Sequence, residues 1–487
     1  MRILYKKDSD LFFIGTPDEK VLVGDSIDSN GLISQVLDIA YADLPGILEH
    51  ILRQSMIPKE QVTREILPDV QRTLETLTDQ KLIITKIRGH REGNVIQRGI
   101  GHFDVSREKT SPGIVDQREL FATLGINSDQ NTRLATSISS SDPQNFSIDP
   151  NSLGITLVTG QKGFGKSYFT KKLLLRLINS NIGTIVFDPN NEYSGLKFDT
   201  DGNQNDYFAR MLTLDPDITD PNTLEGIHPF RINLSDISAE EFCGLYNIPI
   251  DSATAGDVQR FWNLNRDRRT GRITPFSVED FQQWIENNDQ MNDRVQTALI
   301  NRCHQAIDSN IFGASNLRGA IENISQHGGA IIINMKTVSP YLKPHLVNTV
   351  LSNAKTVAQD GNPLALFLEE AQLYVEGERK YQDLLTRMRH IGLKPIFVTN
   401  APRTLPDQVL SLADNIFAFG FESEHVIKHL SGSGKTDLDT INTIKNLQKR
   451  QCLAIGDLTS GYPLFLETLE EPNVDMRGET QEFNVDP

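Results

Sequence analysis

The sequence predicts an α/β fold, and three observations carry that expectation. Short, mostly apolar runs of strand length recur at 155–158, 184–188, 330–335, 364–368 and 394–399, the pattern of strands covered on both faces. A helical period follows the first of them through Phe169, Leu173, Leu174 and Leu177. The loop between that strand and that helix reads G-x-x-x-x-G-K-S from Gly160 to Ser167. A glycine-rich loop in this setting is the phosphate-binding arrangement. Gly160, Gly163 and Gly165 let the backbone curl with its N–H groups facing an anion, at the positive end of a helix. Lys166 is expected on the β- and γ-phosphates and the Ser167 hydroxyl on Mg²⁺, with Phe164 and Tyr168 flanking the cradle. The sequence therefore predicts a nucleoside triphosphate site.

Composition sets the outer limits. The 487 residues suit several domains, and 23% charged residues with a mean hydropathy of −0.33 describe an ordinary globular chain. No apolar run approaches the ~18 residues of a membrane span. The opening MRILYKKDSD has no apolar signal core. Cys243, Cys303 and Cys452 lack metal-ligand spacing and read as reduced core residues of a cytoplasmic protein. With 48 basic against 64 acidic residues the net charge is −16. That excludes a protein coated in nucleic acid but leaves room for a local basic channel.

In chain order, 11–14, 20–23 and 32–39 carry strand signals around Thr-Pro-Asp and Asp-Ser-Asn-Gly turns. Ile66, Val70, Leu74 and Leu77 share one helical face, and 81–87 and 93–100 return to strand character. Residues 1–126 are read as a β-rich domain with a helical insert, and the polar stretch 127–152 as a linker. A catalytic core is expected over 153–235 and 326–465. Between its halves, 236–325 reads as a helical insertion with Trp262, Phe281, Trp284, Val295, Leu299 and Ile307 in its core. Its run of Arg266, Arg268, Arg269 and Arg272 is either a solvated loop or a phosphate-backbone contact. The stretch 466–487 is acidic and reads as a disordered tail or an arm reaching a neighbour.

The remaining candidates sit at strand tips. Asp188 and Glu192 follow the 184–188 strand, either facing a ligand or closing a polar turn. Glu369 and Glu370 follow 364–368, and an NTPase needs two acids there, one for the Mg²⁺ shell and one for the attacking water. The strand ending at Asn400 is expected beside the phosphate-loop strand, within reach of the γ-phosphate. Arg387 and Arg389 precede it, either as a guanidinium for the transferring phosphate from a neighbouring subunit or as partners of surface acids. SGSGKTD at 431–437 is dismissed as a second phosphate loop, because His429 stands where its first glycine belongs.

Four stretches, GQKGFGKS, VFDPNNEYSGL, FLEEAQLYV and LTRMRHIGLKPIFVTNAPRTLP, in this order resemble the HerA branch of the HerA–FtsK superfamily. The resemblance implies a RecA-like P-loop ATPase core that assembles as a homo-hexameric ring and moves double-stranded DNA using ATP and Mg²⁺. GDSIDSNGLISQVLDI at 24–39 is similar to the small HAS β-barrel which that family carries in front of its core. The resemblance assigns Lys166 and Ser167 to the nucleotide, Glu369 to Mg²⁺ and Glu370 to catalysis. It makes Arg389, or failing it Arg387, the finger acting on the neighbouring subunit's phosphate. It also implies a separate nuclease or NAD-consuming effector as partner, in DNA end processing or anti-phage defence. Departures from the family pattern are Asn400 for a glutamine, Gln372 for a histidine, and Arg389-His390 for Arg-Lys. Two further readings stand beside the translocase: an ATPase ring that mainly assembles and switches an effector, and a protein-remodelling ATPase.

Overall fold

The structure, a computed structural model, describes residues 1–41, 80–93, 95–97, 109–126, 129–219, 226–267, 269, 273–314, 317–340, 342–375 and 390–477. The chain forms two compact units: Met1–Ile148 with Phe417–Leu469, and Asp149–Ile416 with Glu470–Pro487. These units do not follow the boundaries drawn from sequence, since 417–469 joins the N-terminal region instead of the core.

The unit from Asp149 holds seven parallel strands in the order Ile227–Pro229, Met211–Asp215, Gly329–Asn334, Gly183–Asp188, Leu364–Leu368, Leu393–Thr399, Thr156–Thr159. Every residue of Gly183–Asp188, Gly329–Asn334 and Leu364–Leu368 is buried, which is why these stretches are nearly continuous in apolar residues. The helices Lys166–Asn179 and Leu317–His327 pack on these strands. The register pairs Thr159 with Thr399 and Asp188 with Asn334, so the carboxyl ends finish together along one edge. As expected, the strand leading to Asn400 lies directly beside the phosphate-loop strand. It also separates that strand from the one carrying the acids.

Residues 239–308 contain the helices Ala239–Leu245, Ala253–Leu264, Val278–Glu286 and Asp293–Asp308. Ser238, Ser252, Ser277 and Asn292 cap their first turns with side-chain oxygens, so each helix starts where its sequence supplies an acceptor. Phe242, Trp262 and Phe281 meet at ring separations of 5.4–5.5 Å in their centre. Trp262, Phe281 and Leu299 are buried as expected, but Ile307 is 40% exposed. The buried stripe of its helix runs Leu299, Cys303, Ala306, and Ile307 falls about 70° off its centre.

The other unit opens with a curled antiparallel sheet. Its order is Arg2–Lys7, Asp10–Gly15, Lys81–Glu92, Leu32–Tyr41, Ser26–Ser29, Gly113–Ile114. Register shifts between Ile3 and Tyr5, and twice along Leu32–Tyr41, add the twist that curls it. Leu11, Phe13, Ile27, Val36 and Ile83 fill its concave side. The expected strand at 20–23 is absent: a turn forms there, with Asp25 accepting from Leu22 N–H at 2.8 Å. The stretch read as a linker contains two strands, Arg133–Ser137 and Asn145–Ser147, the first paired with Leu464–Thr468. The expected helix around 66–77 lies outside the described residues.

The acidic stretch read as a disordered tail or an arm reaching a neighbour packs on its own chain as far as it is described. Leu464–Thr468 is a strand, and 470–477 docks on the helix Lys166–Asn179 of its own chain. Lys172 Nζ donates to Glu470 O at 3.0 Å, Lys171 Nζ to Met476 O at 3.2 Å, and Arg176 pairs with Glu471. The basic face of that helix selects the acidic segment. Among the described residues no helix is long and apolar enough to cross a membrane, and all three cysteines are buried.

Candidate active site

The loop after Thr156–Thr159 turns through Gly163 at φ 90° and Gly165 at φ 103°, conformations open to glycine at little cost. Gly165 begins the helix Lys166–Asn179 and offers no side-chain cap, so the N–H groups of the first turn face outward. A phosphate is the natural partner for such a terminus. Lys166 is 9% exposed and its Nζ donates to Gln161 O at 3.0 Å, across the loop. Burial lowers its pKa, while Glu370, Glu369 and Glu192 pull it back up. Ser167 is half-buried and Tyr168 OH accepts from Glu471 N at 2.7 Å.

Glu369 is buried at the tip of Leu364–Leu368, and its Oε1 accepts from Thr170 Oγ1 at 3.0 Å and from the Tyr193 hydroxyl. Burial raises its pKa to about 7. The Tyr193 hydrogen bond opposes this, and Glu192 and Asp188 add to it. The next residue, Glu370, takes a left-handed conformation at φ 47°, ψ 49°. A non-glycine residue held there costs on the order of 1 kcal/mol and turns the chain sharply. Its carboxylate accepts from Gln372 Nε2 at 2.5 Å.

Asp188 is 1% exposed and spends both oxygens on backbone: Oδ1 accepts from Asn190 N and Glu192 N, Oδ2 from Tyr193 N at 2.9 Å. It thus closes the polar turn that delivers Tyr193 to Glu369. Burial raises its pKa to about 6 despite those hydrogen bonds. Glu192 lies 3.8 Å from Lys171 Nζ. Asn400 is exposed at the tip of the intervening strand, with Gln372 Nε2 3.5 Å from its Oδ1. Phe164 is half-buried in the loop. Arg387, Arg389, Arg268 and Arg272 lie outside the described residues. Arg269 is an exposed residue whose N–H donates to Asp267.

The structure thus gathers Lys166, Ser167, Glu369, Glu370, Asp188, Glu192 and Asn400 on one edge of the sheet. Thr170, Tyr193 and Thr399 belong with them and were not singled out from sequence. Thr170 follows the loop by one turn, and Tyr193 stands five residues beyond Asp188. Neither spacing reveals a contact with Glu369, which is set by the order of the strands.

The donor set around Glu369 suits Mg²⁺. One buried carboxylate and the hydroxyls near it are hard oxygen donors, and Mg²⁺ usually takes one or two carboxylates with phosphates and waters. Among the described residues no group of three or more His, Cys, Asp or Glu forms an all-protein cage. A buried carboxyl with its pKa raised to about 7 has little intrinsic reason to stay ionised, and a divalent cation supplies one.

Residues 115–354 match the family model described as "Helicase HerA, central domain". Over that span, just under half of its length, the chain is similar to the HerA-type proteins of the HerA–FtsK superfamily, and it is a P-loop ATPase. The matched span ends before Glu369, so the acidic pair is placed by the fold alone. VirB4 of Thermoanaerobacter pseudethanolicus is similar in structure, at TM-score 0.51 and 13% identity over 71% of this chain and 98% of that one. At that identity the likeness speaks for the fold. The plasmid coupling protein TrwB with a non-hydrolysable GTP analogue overlaps at TM-score 0.44 and 13% identity, covering 73% and 93%. The genome packaging NTPase B204 of Sulfolobus turreted icosahedral virus 2, in complex with ATP-gammaS, does so at 0.34 and 12%, covering 66% and 100%. No curated protein matches the chain.

Proposed function

We propose that this P-loop ATPase is a HerA-type DNA translocase with a RecA-like core, working as a homo-hexameric ring on duplex DNA. The observation that carries the reading is the convergence of the phosphate loop, the acidic pair and the Asn400 tip on one sheet edge, with the acids one strand removed from the loop. That spacing leaves room for a triphosphate between the loop and the carboxylates. The loop N–H groups and Lys166 bind the phosphates. Ser167 and Glu369 would hold Mg²⁺, which when bound neutralises charge on the phosphate oxygens. Glu370 orients and polarises the attacking water, and Asn400 meets the γ-phosphate side. Arg389, with Arg387 as second choice, supplies its guanidinium across a subunit seam.

The family description, a helicase, supports nucleic acid as the track. In this reading the curled N-terminal sheet is the HAS-barrel-like domain, and a separate nuclease or NAD-consuming effector uses the motor in DNA end processing or defence. The test is steady-state ATP hydrolysis by the full chain with and without duplex DNA. Stimulation of about tenfold or more is expected, well inside the range open to completing a phosphoryl-transfer site. Turnover indifferent to DNA yet raised by a co-purifying effector would replace the motor with an assembly switch. Turnover raised by unfolded polypeptide would point to protein remodelling instead.

A further inference from the structure

The acids at the strand tip are tied to the neighbouring strand by one side chain. Glu370 leaves its strand in the left-handed conformation, and the tight turn Ala371–Leu373 closes with Leu373 N–H on Glu370 O at 2.8 Å. That turn carries Gln372 back over the sheet edge. Its Oε1 accepts from Thr399 Oγ1 at 2.7 Å, and its Nε2 donates to Glu370 Oε2 at 2.5 Å and lies 3.5 Å from Asn400 Oδ1.

The polarity of this chain is set by the Glu370 carboxylate, which can only accept when ionised, so the amide that meets it presents its NH₂. The Gln372 carbonyl oxygen is then turned to Thr399 and accepts its hydroxyl proton. The Thr399 oxygen in turn accepts from the Ala401 N–H at 2.9 Å. Thr399 is 1% exposed and stands in register with Thr159, the last strand residue before the phosphate loop, whose own buried hydroxyl has no partner among the described residues. A displacement at the Thr399–Asn400 tip has a hydrogen-bonded route to Glu370 that passes through Gln372.

We propose that Gln372 is a positioning residue that holds the Glu370 carboxylate in place and couples it to the tip of Leu393–Thr399. The inference rests on the reading that Glu370 acts on the attacking water. It touches neither nucleotide nor water itself; it acts through Glu370. Gln372→Met keeps the bulk and removes both hydrogen bonds. Gln372→Glu keeps an acceptor for Thr399 and sets a carboxylate against Glu370.

The experiment is ATP hydrolysis by the full chain, read as kcat and KM separately, with ATP affinity and melting temperature measured alongside. Both variants should lose about 10- to 100-fold in kcat, the scale of a misplaced catalytic group, with KM and melting temperature unchanged. In single-turnover reactions, adding Gln372→Met to Glu370→Gln should cost nothing more, since both act at one point. Wild-type kcat in Gln372→Met overturns the proposal. So does the same loss with and without the Glu370 carboxylate, or a loss that tracks melting temperature. Full turnover in Glu370→Gln alone would instead remove the assignment of Glu370 on which this rests.

Discussion

Lys166 shows how a single residue divides between fold and function. Its ammonium is largely buried with one carbonyl partner, so it adds little that the loop needs in order to fold. Its placement suits a triphosphate instead. Lys166→Ala is expected to weaken ATP binding by about 100-fold or more, the scale of a lost charge-assisted contact in a shielded site, with an unchanged melting curve. Titration calorimetry checks this, and full ATP affinity in the variant would mean that another loop binds the phosphate. Asp188 teaches the opposite lesson. Its type and place at a strand tip suggest ligand binding, yet both its oxygens are occupied by the turn it closes. What it positions is Tyr193, and Tyr193 donates to Glu369.

At the scale of elements, the loop 431–437 is anchored, and its anchor makes a prediction about acid. Arg88 Nη1 pairs with Asp437 Oδ2 at 2.8 Å and Nη2 donates to Thr440 Oγ1 at 2.6 Å, pinning the helix Leu438–Asn442 to the strand Lys81–Glu92. Burial raises the Asp437 carboxyl, but Arg88 and Thr440 outweigh it and hold the pKa at about 2 against an ordinary 3.8. The folded value lies below the unfolded one, so the ionised pair stabilises fully above pH ~4 and is lost as pH falls through ~2. Asp437→Asn should therefore destabilise by about 2 kcal/mol near neutrality, from 1.36 kcal/mol per pKa unit. In urea unfolding the gap to the wild type should narrow from pH ~4 downward. A gap that holds constant into strong acid would show that the carboxylate is not what Arg88 stabilises.

At the scale of the whole molecule, the proposed ring is tested by subunit mixing. Arg389→Ala and Glu370→Gln should each be nearly inactive alone while keeping ATP affinity. Mixed, they should regain part of the turnover, because some seams then join an intact Glu370 to an intact Arg389 from the other variant. An arginine finger is worth about 10³–10⁵ in rate, so even a few restored seams are measurable. Mixtures as dead as their components, or a monomer that hydrolyses ATP at full rate, would end the case for action across subunits.

Much of this was legible in the chain because it is local. A phosphate loop is one contiguous stretch, and its strand, glycines and helix are each dictated by neighbouring residues: apolar run, positive φ, helical period. The acids after Leu364–Leu368 were legible for the same reason, as were the capped helices of the insertion. Where the readings failed, contacts distant in sequence decided. The linker became strands because Arg133–Ser137 found Leu464–Thr468. The acidic tail docked because Lys171, Lys172 and Arg176 face it from the phosphate-loop helix. Local pattern thus determined that a triphosphate site exists and which residues line its loop. Only the order of parallel strands decided that Tyr193 and Thr170 hold Glu369 and that Gln372 joins Glu370 to Thr399, because a hydrogen bond depends on distance in space and the chain's pattern records distance along the backbone.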